Sequence, residues 1–370
     1  MKDEHKSLGH PLSTGSLVNT VRLLWRNGGV NPRYTFRALS ILLSNLFLLP
    51  ARSYEKWKWA DAIDRVEINE PPIFIIGTWR SGTTYLHDIL ARDKGLGFIS
   101  TLQAFCPDIC IEGSRFLVPL FRMLLPPKRP MDNMRMALEY PQEEEYSMAN
   151  LSPYSFYHGY TLPGRMSALF DQLTFTQESG DTKQAWQAVY ERLLKKMTLI
   201  QEGRRLILKN PLNTMRIPAL LEMFPEAKFI YLNRNPYLVF YSLLHNFTRL
   251  TDAYQLERIP AADLEENVFR FYDRMMQVYG ETKDMISPGN LVEVRFENLE
   301  ADALAVVEGI YTTLNMPGFP QAEEAMRNYI DSQSDYEKNR YEISQEMIST
   351  ISQRWSHIIN RLDYAPPSSI

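Results

Sequence analysis

The sequence predicts an α/β fold with a central parallel sheet flanked by helices and with helical additions at the N-terminus and in the middle of the chain. Two observations support this class. Four short apolar runs alternate with longer helical patterns, and parallel strands require such crossover connections. The chain of 370 residues is also long enough to bury one large core. The predicted strands cover residues 73–77, 205–209, 228–233 and 291–295.

The helical patterns divide the chain into regions. Residues 1–16 are polar and predict a flexible tail, and residues 17–370 predict a single domain whose N-terminal helices occupy 17–70. Residues 94–182 are rich in aromatic residues and proline and predict an insertion over the ligand-binding edge of the sheet. The predicted helices cover residues 17–27, 34–49, 54–65, 82–92, 183–201, 213–224, 236–248, 262–283, 302–314, 320–331 and 343–360.

Composition excludes some classes of partner. A net charge of −4 gives no global basic field, so we expect no nucleic-acid partner. Cys106 and Cys110 lack a second cluster, so we expect buried thiols and no metal. No signal peptide is evident, which predicts a cytoplasmic protein. The apolar stretch 38–51 is too short to span a bilayer, and it predicts either a core helix, a channel wall or a peripheral membrane contact of the N-terminal helices.

A glycine-hinged loop follows the first predicted strand, with the sequence GTWRSGTT over residues 77–84. Glycines permit a tight turn, and the amides of the helix that follows favour an anion. The spacing is P-loop-like, but Thr83 occupies the position of the P-loop lysine, and Arg80 supplies the cation. The loop therefore predicts a site for a phosphate-bearing ligand that is poorly suited to ATP hydrolysis. The structural alternative is a turn with a helix cap.

A second polar segment follows the predicted strand 228–233. Arg234 comes at the carboxyl end of this strand, where open α/β sheets bind ligands. Pro236 suits the first position of the following helix, and Ser242 lies eight residues after Arg234 in that helix. An arginine fork with a nearby hydroxyl predicts a second phosphate clamp.

Together these segments resemble the sulfotransferases that use 3′-phosphoadenosine 5′-phosphosulfate (PAPS), most closely their bacterial type 3 branch. The 77–85 loop is similar to the family's 5′-phosphosulfate loop, and Arg234 with Ser242 is similar to its 3′-phosphate motif. Lys209 resembles the lysine of the family's central strand, and residues 292–299 resemble a further family element. The resemblance covers residues from about 73 to 299.

The resemblance implies an enzyme that moves the sulfuryl group of PAPS to an acceptor hydroxyl by in-line displacement and releases the product 3′,5′-bisphosphate (PAP), with no required metal. Arg80 and Lys209 would stabilise charge on the transferred group, while Arg234 and Ser242 would hold the 3′-phosphate. The residues implied to hold the cofactor are Thr78, Arg80, Ser81, Gly82, Thr83, Thr84, Tyr85, Arg234 and Ser242.

The chain departs from the family at the base. The histidine that follows the central-strand lysine in animal relatives aligns with Pro211, so that mechanism does not carry over. Glu144 and Glu145 lie in a carboxylate cluster, in which neighbouring charges raise pKa values toward the range of a general base. A solvated acidic helix start is the alternative. His87, one helical turn beyond the loop, is a further catalytic candidate.

The acceptor predicted from abundant aromatic and methionine residues is a lipophilic alcohol such as a sterol or lipid. A carbohydrate acceptor remains open, because aromatic residues also stack on sugars. Two other classes remain open as well: a P-loop-like nucleotide kinase or NTPase, and a membrane-associated binding protein with an inactive nucleotide site. The sequence does not indicate an oligomeric state.

Overall fold

The computed structural model describes residues 10–113, 118–119, 121–122, 137–175, 180–333 and 344–366. These residues fall into two compact units. The first unit takes the chain up to residue 70 and residues 97–206 and 249–259, and the second takes the remainder. The predicted N-terminal helices and nearly all of the predicted insertion therefore lie in the first unit. A single domain over residues 17–370 stays a prediction.

The predicted α/β class is confirmed. The strands are β1 Ile73–Gly77, β2 Leu96–Gly97, β3 Arg205–Lys209, β4 Lys228–Asn233 and β5 Leu291–Arg295. In the described residues the helices are α1 Leu17–Arg26, α2 Thr35–Phe47, α3 Leu49–Asp64, α4 Thr83–Leu90, α5 Thr101–Phe105, α6 Glu144–Leu151, α7 His158–Thr161, α8 Met166–Leu173, α9 Gly180–Ile200, α10 Ile217–Met223, α11 Pro236–Tyr254, α12 Ala261–Thr282, α13 Phe296–Ala301, α14 Ala303–Thr313, α15 Phe319–Asp331, α16 Gln345–Arg354 and α17 Ser356–Leu362.

The sheet has the strand order β2-β3-β1-β4-β5. The β1–β3, β1–β4 and β4–β5 pairs are parallel, so the carboxyl ends of these strands share one edge. All five residues of β1 are buried, as expected for an apolar strand covered on both faces. The chain runs from β1 to β2 and β3 on one side and then crosses to β4 on the other. This reversal beside β1 is the position at which open α/β sheets bind ligands.

The four predicted strands are confirmed with their boundaries, whereas several helix predictions are wrong in detail. The predicted helix 213–224 is a 3-10 turn, Pro211–Met215, followed by α10. The predicted helix 343–360 is divided at Trp355 into α16 and α17, and residue 343 lies outside the described residues. Strand β2 and the short helices of the 94–182 region were not predicted. Such short elements depend on tertiary contacts more than on periodicity.

Aromatic side chains are packed in the interior of the first unit. Trp186 stacks on Tyr190 within α9, with ring centroids 4.5 Å apart. Phe156 packs edge-on against Phe170 of α8. Both cysteines are free and buried, as predicted. All four of these rings are buried and belong to the core of the first unit.

The beginning of the predicted flexible tail, residues 1–9, lies outside the described residues. From His10 onward the chain has defined partners, because His10 Nε2 lies 2.9 Å from the Tyr254 carbonyl oxygen and Pro11–Thr14 forms a 3-10 turn. The described part of the chain contains no single helix that is both long and apolar enough to cross a membrane. The bent pair Pro32–Phe47 and Leu49–Asp64 passes that test only when its two helices are taken together.

Candidate active site

The loop between β1 and α4 has an unusual backbone. Gly77, Arg80 and Gly82 have φ values of 142°, 68° and 94°. Arg80 is notable, because a bulky residue with positive φ is uncommon and such positions cluster at functional sites. Gly82 occupies the N-cap position of α4 and has no side chain. The first amides of α4 therefore receive no side-chain capping hydrogen bond. The loop therefore has the backbone expected of an anion cradle.

At Gly77 and Gly82 both the positive φ and the close neighbouring atoms leave no room for a side chain. A Cβ atom at Gly77 would come within 3.0 Å of the Leu232 carbonyl oxygen on the neighbouring strand. A Cβ atom at Gly82 would come equally close to the ring of Phe296. The loop thus lies directly against β4 and α13.

We expect Gly82→Ala to lower the free energy of unfolding by more than about 1 kcal/mol and to weaken phosphate-ligand binding, because φ is positive and the added methyl displaces Phe296. The measurements are urea denaturation and calorimetric titration with PAP. Gly289→Ala is the matched control, since Gly289 has φ of 85° with nothing within 4 Å of the added atom. Equal effects of the two changes on stability and binding would contradict the steric role of Gly82.

Hydroxyl groups hold the loop in this conformation. Thr214 Oγ1 accepts a hydrogen bond from Gly77 N and donates one to Gly77 O, both of 2.8 Å. Ser81 Oγ donates to Thr78 O at 2.8 Å. Thr78, Ser81 and Thr83 are all buried. Thr78 and Ser81 therefore support the loop through their own contacts, whatever ligand the backbone binds.

Two arginines and a serine from distant parts of the sequence meet beside the loop. Arg80 Nε donates to Ser242 Oγ at 2.8 Å, and Arg234 Nη1 donates to the Arg80 carbonyl oxygen at 3.1 Å. The Arg234 guanidinium lies over the Phe296 ring, with its Cζ 4.6 Å from the centroid. We call Arg80, Arg234 and Ser242 the arginine cluster. Two half-buried guanidinium groups beside a hydroxyl suit a phosphate dianion.

Lys209 brings a third cation to the same loop. It is the last residue of β3, it is 1% exposed, and its Nζ donates to Thr84 Oγ1 at 3.2 Å. His87 lies beneath it in α4, with Nε2 3.3 Å from the Ile207 carbonyl oxygen. Burial, followed by the charge of Lys209, lowers the pKa of His87 to about 3. His87 is therefore neutral at physiological pH, and its catalytic role stays a prediction.

Tyr85 is among the residues that the resemblance implies to hold the cofactor, with its ring facing the adenine, and it is half-buried in α4. Burial first and the charge of Glu300 second raise the pKa of Tyr85. Its phenol is thus uncharged, and the ring keeps an apolar face. Stacking of Tyr85 on a base stays a prediction.

Glu144 and Glu145 lie at the start of α6 in the first unit, whereas the arginine cluster and Lys209 lie in the second. Both carboxyl groups are buried. Tyr190 OH donates to Glu144 Oε1 at 2.9 Å. Burial, with a smaller contribution from the neighbouring carboxylates, raises the pKa of Glu144 to about 7. The alternative of a solvated acidic helix start is wrong, because both side chains are inside the protein.

Glu145 is held differently from Glu144. Its Oε1 accepts hydrogen bonds from Ser155 Oγ at 2.9 Å and from Phe156 N at 3.0 Å. These bonds tie the Glu145 carboxyl group to the backbone. Of the two predicted bases, Glu144 is the one whose raised pKa lies near neutral pH.

Further residues support the arginine cluster, and of these only Glu297 belongs to a segment that the sequence analysis identified. Glu297 Oε1 accepts from Asn235 N at 3.0 Å, which fixes the residue next to Arg234. Tyr364 OH donates to Glu297 Oε2 at 2.8 Å. The C-terminal segment thus holds the carboxyl end of β4. Neither Tyr364 nor Thr214 belongs to a recognisable motif, so only the structure identifies them.

A family model and two named relatives match this chain. Residues 71–321 match a family model described as "Sulfotransferase family". The chain is 29% identical over 331 residues to omega-hydroxy-beta-dihydromenaquinone-9 sulfotransferase Stf3 of Mycobacterium tuberculosis (strain CDC 1551 / Oshkosh), which covers 90% of this chain and 83% of the relative. The protein of the same name from Mycobacterium bovis gives the same values.

Two solved structures share the fold. Sulfotransferase STF1 from Mycobacterium tuberculosis H37Rv has a TM-score of 0.65 at 18% identity, covering 96% of this chain and 94% of its own. Sulfotransferase STF9 from Mycobacterium avium has a TM-score of 0.70 at 16% identity, covering 95% of this chain and 97% of its own. At these identities the likeness concerns the fold.

Proposed function

We propose, from the premise that this chain belongs to the sulfotransferase family and is a sulfotransferase, that its donor is PAPS and its acceptor is the hydroxyl group of a lipophilic alcohol. The observation that carries the donor assignment is the arginine cluster. Arg234 and Ser242 lie beside the phosphate loop, where a kinase or NTPase needs no such clamp, and the P-loop lysine that those enzymes require is absent.

The residues present fit PAPS. The left-handed loop and the uncapped start of α4 suit the 5′-phosphosulfate, and Arg234 with Ser242 suits the 3′-phosphate. PAPS, when bound, supplies an already activated sulfuryl group, so the protein is left with positioning and charge stabilisation. Arg80 and Lys209 are the cations placed at the loop for developing negative charge.

The acceptor hydroxyl must lose its proton during transfer, and we assign this step to Glu144. A carboxyl with a pKa of about 7 is partly ionised at neutral pH and still basic enough to accept the proton. Tyr190 OH, bonded to Oε1, orients the carboxyl group. Glu145, held by Ser155 and the Phe156 amide, is the less suitable base.

The lipophilic acceptor rests on two arguments. The relative Stf3 carries the name of a sulfotransferase for a hydroxylated dihydromenaquinone, which is a lipophilic alcohol by its name. The predicted acceptor region of this chain has an aromatic interior that includes Phe156, Tyr157 and Phe170. Mass spectrometry of products formed from isoprenoid, sterol and sugar alcohols tests the choice. Sulfation of sugars alone would replace the lipid with a carbohydrate acceptor.

We expect the chain to bind PAP more tightly than ADP or ATP in calorimetric titrations without magnesium. Arg234→Ala should weaken PAP binding by about 10- to 100-fold, since a charge-assisted bond contributes about 1.5–3 kcal/mol, and should leave ADP affinity nearly unchanged. Arg361→Ala, in α17, is the matched arginine control. ATP binding as tight as that of PAP would contradict the donor assignment and favour a nucleotide kinase.

Glu144→Gln should lower kcat and remove the rise of activity with pH that ionisation near pH 7 produces. The same change should alter stability. The folded pKa of about 7 lies above the ordinary value of 4.5, so the wild-type chain loses stability as pH rises from about 4.5 to 7. The glutamine variant should lack that loss in urea denaturation. An unchanged pH–rate profile would exclude Glu144 as the base, and Glu145→Gln provides the comparison.

A further inference from the structure

The N-terminal helices expose large apolar side chains to an unusual degree. Trp25, Phe36 and Phe47 are 86%, 89% and 83% exposed, and Trp57 is 79% exposed. We call the whole set the apolar helix surface. It consists of Val18, Val21 and Trp25 on α1, Phe36, Leu39, Leu43, Leu46 and Phe47 on α2, and Leu49, Tyr54 and Trp57 on α3.

This surface follows the helical repeat, so it is a face and not scattered residues. On α2 the exposed apolar residues recur every three or four positions from Phe36 to Leu46, with Phe47 next to the last of them, while Ala38, Ile41 and Asn45 are buried. Asn45 Nδ2 donates to Thr20 Oγ1 of α1 at 2.9 Å on the buried side. A helix that turns its apolar face outward, with a polar contact inside, is the reverse of the usual arrangement.

Along α1 and α2 the charges beside this surface have one sign, whereas α3 carries exposed Asp61 and Asp64 after Trp57. Between His10 and Tyr54 the chain contains no aspartate or glutamate. Arg22, Arg26 and Arg33 are exposed on and between α1 and α2. The first carboxylate after this stretch, Glu55, is buried and lies 2.6 Å from Lys196 Nζ. The part of the apolar face on α1 and α2, edged by arginines without carboxylates, is complementary to anionic lipid headgroups.

We propose that the apolar helix surface binds the interface of a bilayer that contains anionic lipids, with the aromatic and aliphatic side chains inserted at the level of the headgroups. A contact with a second copy fits less well. A symmetric interface places the same patch on both partners, and α1 and α2 contain no carboxylate that could pair with the arginines brought there. This proposal concerns the first unit and does not depend on the donor or the acceptor.

The test uses the full chain with vesicles of phosphatidylcholine alone and of phosphatidylcholine with phosphatidylglycerol. We expect co-sedimentation with the anionic vesicles and a blue shift of tryptophan emission, because Trp25 and Trp57 are exposed while Trp79, Trp186 and Trp355 are buried. The double change Phe36→Ser/Phe47→Ser should weaken vesicle binding more than tenfold. Met285→Ser is the matched control, since Met285 is 56% exposed in the second unit.

A second pair of changes tests the charge and keeps the apolar residues. Arg22→Ala/Arg26→Ala should weaken binding to anionic vesicles by more than tenfold, because each basic residue near such a surface contributes about 1 kcal/mol. Absence of wild-type binding to anionic vesicles would overturn the proposal. If wild-type vesicle binding is absent and analytical ultracentrifugation shows a dimer that Phe36→Ser/Phe47→Ser dissociates, the surface binds a second copy and the proposal is wrong.

Discussion

Arg80→Ala is expected to reduce sulfuryl transfer by at least about 100-fold, the size of effect seen when one preorganised donor is removed from a developing charge. Arg80 extends from a left-handed position in the phosphate loop, and its Nε is fixed by Ser242. The hydrogen bond to Ser242 restricts the guanidinium and so reduces the side-chain entropy lost when it binds an anion. Single-turnover kinetics with a chosen alcohol acceptor measure the effect on chemistry separately from product release.

The control for this change is Arg327→Ala, which removes an exposed arginine paired with Glu323 in α15. It should leave the rate unchanged. A double-mutant cycle with Ser242→Ala should show coupling of about 0.5–3 kcal/mol, because the two side chains are in direct contact. Near-normal transfer by Arg80→Ala would remove the central cation from the proposed mechanism.

Lys209→Met is expected to lower kcat by about 100- to 1,000-fold while leaving PAP affinity within a few-fold of wild type. Methionine retains an apolar chain of similar size but loses the charge at the loop. A residue that acts mainly on developing charge changes kcat more than ground-state binding. Single-turnover rates together with PAP titrations separate the two effects.

Lys228→Met provides the matched control for Lys209. Lys228 is the first residue of β4, so it lies at the amino end of the strand, away from the phosphate loop. Its Nζ donates to the Leu314 carbonyl oxygen. Its loss should affect stability but not kcat. If Lys209→Met weakens PAP binding and transfer equally, Lys209 is a cofactor-binding residue and not a stabiliser of the transition state.

The strands and the phosphate loop were predictable because their signals are local. A buried parallel strand has a continuous run of apolar residues in the sequence. The glycines at positions 77 and 82 indicate backbone positions with positive φ. The short helices of the 94–182 region were not predictable in the same way. α6 and α7 have only eight and four residues, so their stability comes from packing around residues such as Tyr190 and not from periodicity.

The sequence by itself determined the α/β class, the four principal strands and the polar residues at their carboxyl ends, because each of these follows from a short run of residue types. Only the tertiary structure decided that Arg80 bonds Ser242 across 162 positions, that Lys209 reaches Thr84, and that the Glu144 carboxyl is buried with a raised pKa. The physical reason is that hydrogen bonds and desolvation depend on distances of a few ångströms between segments, which the order of residues does not contain.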